Sequence, residues 1–237
     1  MPIKKEEVLA IIPARGGSKG ISRKNIKKLA GKSLLAYTAE AALKSSCLDR
    51  IILSTEDEEI IQTGLKMGLE VPFTRPLELA QDDTPSLPVI QHAVRTLEEK
   101  ENYRPDIIMI LQPTSPLRNS KHINEALKRF LEVQADSMVS ITEVPHNMNP
   151  YSVMQLQDDG TIIPFLKYDE KKNIRHQKPV FYARNGAAIY ICTYKCLLKK
   201  NSLYGDKIIP YFMKKEESLD LDDEVDWNFA EYILNNK

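Results

Sequence analysis

Arg15, Lys19 and Lys24 are set among Gly16, Gly17 and Gly20, directly after the apolar run Leu9-Ala10-Ile11-Ile12. Glycines let the backbone approach a ligand and turn its amides inward, and the three cations add charge-assisted bonds to phosphate oxygens. That chemistry suits a polyanion, and points to a nucleoside triphosphate. Spacing excludes two familiar glycine loops. A Walker loop needs a glycine at Ile26, five positions before Gly31-Lys32-Ser33, and a dinucleotide loop needs one at Ser18. A basic surface turn is the plainer alternative for this loop taken alone.

Three further stretches carry polar groups. Arg75-Pro76 through Asp82-Asp83-Thr84-Pro85-Ser86 places a cation, acids and hydroxyls around a helix start. Ser86 is the expected N-cap there, with Asp83 favouring the same terminus through the helix dipole. Gln112-Pro113-Thr114-Ser115-Pro116-Leu117-Arg118 is stiffened by two prolines, and leaves Gln112 to offer a donor and an acceptor to a sugar or base. In Ser218-Leu219-Asp220-Leu221-Asp222-Asp223 acids alternate with apolar residues. If that segment is extended, Asp220 and Asp222 share a face and can hold one hard cation, Mg²⁺ or Mn²⁺, against triphosphate oxygens. A solvated lead-in to the last helix, capped by Asp222 or Asp223, is the alternative.

These residues need a frame. Short apolar runs alternate with amphipathic stretches, giving expected strands at 8–13, 50–54, 71–73, 107–111 and 137–142. Helices are expected at 34–44, 57–67, 87–100 and 122–131. Strands alternating with helices imply a doubly wound α/β fold with a mostly parallel sheet. Ligands of such sheets bind beyond the carboxyl ends of the strands, so Arg15, Gln112 and Asn119 are expected to face one crevice. Residues 143–184 break the rhythm with four prolines and a hairpin turn at Asp158-Asp159-Gly160, and read as an excursion from the sheet. The run 187–192 returns to the sheet, and 225–234 is a closing helix. The resulting organisation is a catalytic domain of residues 1–142 and 185–237 with an inserted element at 143–184.

Composition narrows the function. The 33 Lys and Arg balance 33 Asp and Glu, so no global field recruits nucleic acid or an anionic membrane. Neither a membrane span nor a signal-peptide core is evident, and the expected compartment is the cytoplasm. Cys47, Cys192 and Cys196, with four dispersed histidines, match no zinc or redox spacing.

Taken together, the ordered motifs resemble the acylneuraminate cytidylyltransferases, the synthetases of CMP-sialic acid and related CMP-nonulosonic acids. The resemblance rests on Ile12-Pro13-Ala14-Arg15-Gly16-Gly17-Ser18-Lys19-Gly20 with Lys24-Asn25, Arg75 through Ser86, Leu111 through Arg118, Asn185-Gly186-Ala187-Ala188-Ile189-Tyr190, and Asp220-Leu221-Asp222 with Asp226. It covers nearly the whole chain. It implies a nucleotide-diphospho-sugar transferase-like fold, and a reaction of CTP with an acidic nine-carbon sugar to give a CMP-sugar and pyrophosphate. Arg15, Lys24, Asp220 and Asp222 would be catalytic, the two acids as Mg²⁺ ligands and Asp220 the preferred base. Ala14, Arg15, Gly16, Asn25, Arg75 and Ser86 would bind the nucleotide. Gln112, Arg175, Tyr182, Asn185 and Phe212 would form the sugar pocket, with Arg175 meeting the carboxylate. The inserted element would make a homodimer and reach toward the partner's active site, with a flexible lid within a monomer as the plainer alternative. An eight-carbon Kdo acid, another sugar nucleotidyltransferase, or a non-catalytic CMP-sugar-binding module are the competing readings.

Overall fold

β1 (Val8–Pro13) buries five residues in succession, as expected of a strand covered on both faces. The computed structural model describes residues 6–166 and 178–236. A short antiparallel hairpin, β2 (Lys28–Leu29) and β3 (Lys32–Ser33), leads into α1 (Leu34–Leu43). β4 (Arg50–Ser54), α2 (Glu58–Lys66), α3 (Ser86–Glu101), β5 (Ile107–Ile110), α4 (Ser120–Val133) and β6 (Ser137–Glu143) continue the alternation. β7 (Met154–Leu156) and β8 (Ile162–Pro164) form a separate antiparallel hairpin around the expected turn. β9 (Tyr182–Arg184), β10 (Tyr190–Thr193), β11 (Ile208–Phe212) and the closing helix α5 (Glu224–Asn235) complete the described chain.

The main sheet has the order β11-β6-β10-β5-β1-β4, with β9 paired to the outer half of β6. β4, β1, β5, β6 and β11 run one way; β10 is antiparallel to both its neighbours, β5 and β6. The α/β fold and mostly parallel sheet expected from the alternation are therefore observed. Alternation within β1 divides the core: Val8, Ala10 and Ile12 pack with α1, α2 and α4, while Leu9 and Ile11 pack with α3. Each such buried aliphatic stabilises the fold by about 2 kcal/mol, set against the entropy of ordering the chain.

A third cluster matters most for the site. Ile21, Leu29 and Leu34 pack with Leu221, Trp227 and Ala230, so the segment after the glycine loop is bound to the one around the acidic pair. Residues distant in sequence are thereby brought to one rim of the sheet.

Several expectations need correction. No strand forms at 71–73; Glu70 makes a lone bridge to Ile52, and Phe73 is buried in the α3-side core from a loop. Ser86 is not the N-cap of α3 but its first residue, because Pro85 holds the extended cap position. α4 starts earlier than expected, since Asn119 is its N-cap and forms a reciprocal capping box with His122. Its side chain accepts from the His122 amide at 3.1 Å, so Asn119 terminates a helix and does not line the cleft. In the run 187–192, Ala187 to Ile189 form a buried turn after Gly186 at φ +67°, and the strand begins at Tyr190.

Candidate active site

The carboxyl ends of β1 and β5 open onto a cleft of about 270 Å³. Arg15, Lys24, Asn25, Arg75, Ser86, Gln112, Asp220 and Asp222 all line it, together with Asp82 and Thr114. The loop after β1 is held open by Asn25, whose Nδ2 donates to the Arg15 carbonyl at 2.9 Å. Ala14 is fully buried and its amide donates to Ser54 O at 3.0 Å, fixing where Arg15 leaves the sheet.

Gly16 behaves differently from expectation. Its amide donates to Glu56 Oε1 at 2.6 Å and is therefore already engaged within the protein. Glu56 lies two residues past β4 and also pairs with Arg75 at 3.2 Å. The Arg75 guanidinium is buried, donates to Ser54 O at 3.1 Å, and has its proton affinity lowered by burial first, with Glu56 opposing. Its Nε is buried without a hydrogen-bond partner among the described residues. Glu56 thus sets both a loop amide and a cleft cation, and its place at a strand's carboxyl end was the available signal for it.

The acidic segment reaches the cleft by backbone bonds. Leu221 N donates to Thr114 O at 2.9 Å, and Leu221 is fully buried, which turns Asp220 and Asp222 together toward the cleft as alternation requires. Lys24 Nζ donates to Leu221 O at 2.6 Å, between the two acids. Burial lowers the Lys24 proton affinity, while Asp222 and then Asp220 raise it. Gly20 permits the close approach, since a Cβ there would overlap the Asp222 carbonyl oxygen. The helix itself is capped by Asp223, not Asp222, which leaves Asp222 for the cleft.

Burial pushes the Asp220 carboxyl up from the ordinary carboxylate range; Thr114 beside it opposes this, and Asp222 adds to it. Asp220 Oδ1 is buried with no hydrogen-bond partner among the described residues. An orphaned carboxylate oxygen next to a second carboxylate is a donor set that fits a hard divalent cation. Among the described residues no third His, Cys, Asp or Glu joins them, so ligand oxygens would complete the coordination.

A second pocket of about 570 Å³ shares Ser86 and Gln112 with the cleft. Arg184, Tyr190, Leu203 and Tyr204 form its far wall. Arg184 Nη1 donates to the Tyr204 hydroxyl at 2.7 Å, and burial raises the Tyr190 phenol to about 12. These residues went unrecognised because chain spacing does not reveal that the segments after β9 and β10 meet α3.

Of the expected sugar residues, Gln112 sits between the two pockets. Tyr182 and Phe212 do not join it. They contact each other edge to face at 5.0 Å and line a separate depression beside Val144 and Lys214, because both flank the far end of β6, Tyr182 of β9 opposite Glu143 and Phe212 of β11 opposite Ile141. Asn185 is buried and donates to Ser218 Oγ at 3.0 Å and to Met213 Sδ at 3.3 Å, which makes it a tie to the segment before Asp220. Arg175 lies outside the described residues.

Cations, paired carboxylates and an adjoining polar pocket gathered at the carboxyl ends of a doubly wound sheet are the arrangement a nucleotidyltransferase needs. The chain belongs to the cytidylyltransferase family, which residues 9–229 match. It is 36% identical over 232 residues to N-acylneuraminate cytidylyltransferase of Escherichia coli O18:K1:H7, covering 98% of this chain and 53% of that protein. With CMP-N,N'-diacetyllegionaminic acid synthase of Legionella pneumophila it shares 31% over 228 residues, 96% of each chain. The chain therefore spans about half the length of the first relative and nearly all of the second. A solved CMP:2-keto-3-deoxy-manno-octonic acid synthetase complexed with CTP has the same fold, with TM-score 0.72 and 15% identity over 97% of this chain and 99% of its own. No helix among the described residues is long and apolar enough to cross a membrane.

Proposed function

We propose that the chain joins CTP to an N-acylated nonulosonic acid, releasing pyrophosphate and forming a CMP-sugar. The observation that carries this reading is the contact of Lys24 with the Asp220/Asp222 segment in a cleft that adjoins, through Gln112 and Ser86, the second pocket. The nucleotide occupies the cleft, with its phosphates toward Arg15 and Lys24; the sugar acid occupies the second pocket, whose guanidinium and phenols suit a polyhydroxylated carboxylate.

In the reaction a sugar hydroxyl oxygen forms a bond to the α-phosphorus as the bond from that phosphorus to the β-phosphate bridging oxygen breaks. The hydroxyl proton passes to Asp220, whose carboxyl is raised by burial. Arg15 and Lys24 stabilise the charge that grows on the leaving pyrophosphate, and orientation of the two substrates supplies much of the remaining advantage. Asp220 and Asp222 would hold Mg²⁺, which when bound neutralises phosphate charge.

Two features support a homodimer built through the inserted element. The β7–β8 hairpin stands apart from the main sheet, and it exposes Met154, Leu156, Ile162, Ile163 and Phe165. A lone two-stranded hairpin is marginal in water, so a partner face for these side chains is the natural completion. The free Cys47, Cys192 and Cys196 suit the reducing cytoplasm.

The test is pyrophosphate release with CTP and Mg²⁺ across neuraminic, legionaminic, pseudaminic and Kdo acids, with ATP, GTP and UTP as controls. Release with CTP and one nonulosonic acid is expected. Silence across the panel from folded protein that binds CTP would leave a non-catalytic CMP-sugar-binding module.

A further inference from the structure

We propose that Asp82 is an internal stand-in for the triphosphate: it pairs the phosphate-binding cations in the resting site, and a nucleotide must displace it. This rests on the reading of the cleft as a triphosphate site. Asp82 divides its carboxylate between two cations of the glycine loop, with Oδ1 2.7 Å from Arg15 Nη1 and Oδ2 3.3 Å from Lys19 Nζ. It therefore occupies positions where anionic oxygens of a ligand would sit.

The other anions of the cleft are built in differently. Glu56 is nearly buried, accepts from the Gly16 amide and backs Arg75, so it stays in place when a ligand arrives. Asp220 is half-buried; Asp222, though exposed, is fixed in the chain next to the fully buried Leu221, whose amide is bonded to Thr114 O and whose carbonyl accepts from Lys24. The Asp82 side chain is 37% exposed, and water can take it when it swings away.

Release also leaves its turn intact. Thr84 N donates to Gln81 O at 3.2 Å, and Gln81 Nε2 donates to Leu77 O at 2.7 Å. The 3₁₀ turn Leu77–Leu79, which carries the Leu77 acceptor, comes shortly after Arg75, which is anchored through its amide to Thr55 O at 2.9 Å. The backbone of 77–84 is thus held without the Asp82 carboxylate, and a side-chain rotation suffices.

Selectivity follows from charge. A ligand with oxygens beyond the α-phosphate offers Arg15 and Lys19 more than one carboxylate does, and displaces Asp82. A monophosphate lacks those oxygens and leaves the pair closed. Asp82 consequently weakens the hold on triphosphate and on the pyrophosphate product alike, and favours release of that product after turnover.

The experiment is metal-free calorimetric titration of wild type, Asp82→Asn and Asp83→Asn with CTP, inorganic pyrophosphate and CMP. Asp82→Asn should tighten CTP and pyrophosphate by about three- to fivefold, the scale of an exposed ion pair, and leave CMP unchanged. Asp83→Asn removes the same charge one residue away and should shift all three ligands by less than that. Equal or weaker CTP binding by Asp82→Asn overturns the proposal, as does an equal gain from Asp83→Asn, which would reduce the effect to net charge. Absence of CTP and pyrophosphate binding in all three proteins would instead overturn the triphosphate reading of the cleft.

Discussion

Asp220 is held in the cleft at a cost to stability. Its carboxyl is raised by burial, so the folded state binds its proton more tightly than the unfolded chain does. The sign follows: protonation of Asp220 favours folding as pH falls through its folded value, and the penalty is fully present above that value. Asp220→Asn should therefore raise the thermal midpoint of the metal-free protein at neutral pH while removing most turnover; a lowered midpoint in differential scanning calorimetry would contradict this. The same shift places the acid limb of the pH–rate profile above the ordinary carboxylate range, and Mg²⁺ should move it to lower pH.

Arg118 shows a second residue-scale cost. Its guanidinium is buried, and burial pushes it down to about 9. It donates to the carbonyls of Gln112 at 2.9 Å and Ala188 at 2.8 Å, and to Thr38 Oγ1. A buried fork joining these carbonyls fixes the backbone from which Gln112 enters both pockets, a geometry lysine could not reproduce.

At the scale of elements, the loop after β1 and the segment before α5 are made to touch by Gly20. Gly20→Ala would force the loop from Asp222 and separate Lys24 from the acidic pair. A large fall in kcat with a modest loss of stability, measured by steady-state kinetics and urea unfolding, is expected. Asn119→Ala offers the contrast. Loss of the α4 cap should cost about 1 kcal/mol with the Michaelis constants unchanged, because Asn119 serves a helix terminus outside the cleft. Regular elements were legible in the sequence where one periodicity dominated: β1 and β4 match their expected bounds, and α1 and α2 match within a residue at each end. Residues 71–73 were not, since a short apolar run satisfies a loop that points Phe73 into the core as well as it satisfies a strand.

At the scale of the molecule, the exposed face of the β7–β8 hairpin carries the assembly prediction. Leu156 and Ile162 are cross-strand partners, 70% and 59% exposed. Light scattering should give twice the 27.1 kDa chain mass for the native protein, and Leu156→Asp with Ile162→Asp should give one chain mass. A native monomer at micromolar concentration would remove the dimer from the account.

Alternation of apolar runs and helical periods, readable along the chain, determined the α/β class. The order of glycines, cations and acids, with the family resemblance it carries, placed Arg15, Lys24, Arg75, Asp220 and Asp222 in one expected site, and all five line the cleft. Those features are local: burial on both faces of β1, or a shared face for Asp220 and Asp222, follows from residue spacing alone. Only the tertiary structure decided that Glu56 takes the Gly16 amide, that Asp82 pairs with Arg15, and that Tyr182 and Phe212 lie away from the cleft. Each depends on contact between segments far apart in the chain, and such contacts are set by sheet order and close packing, which leave no periodic trace in sequence.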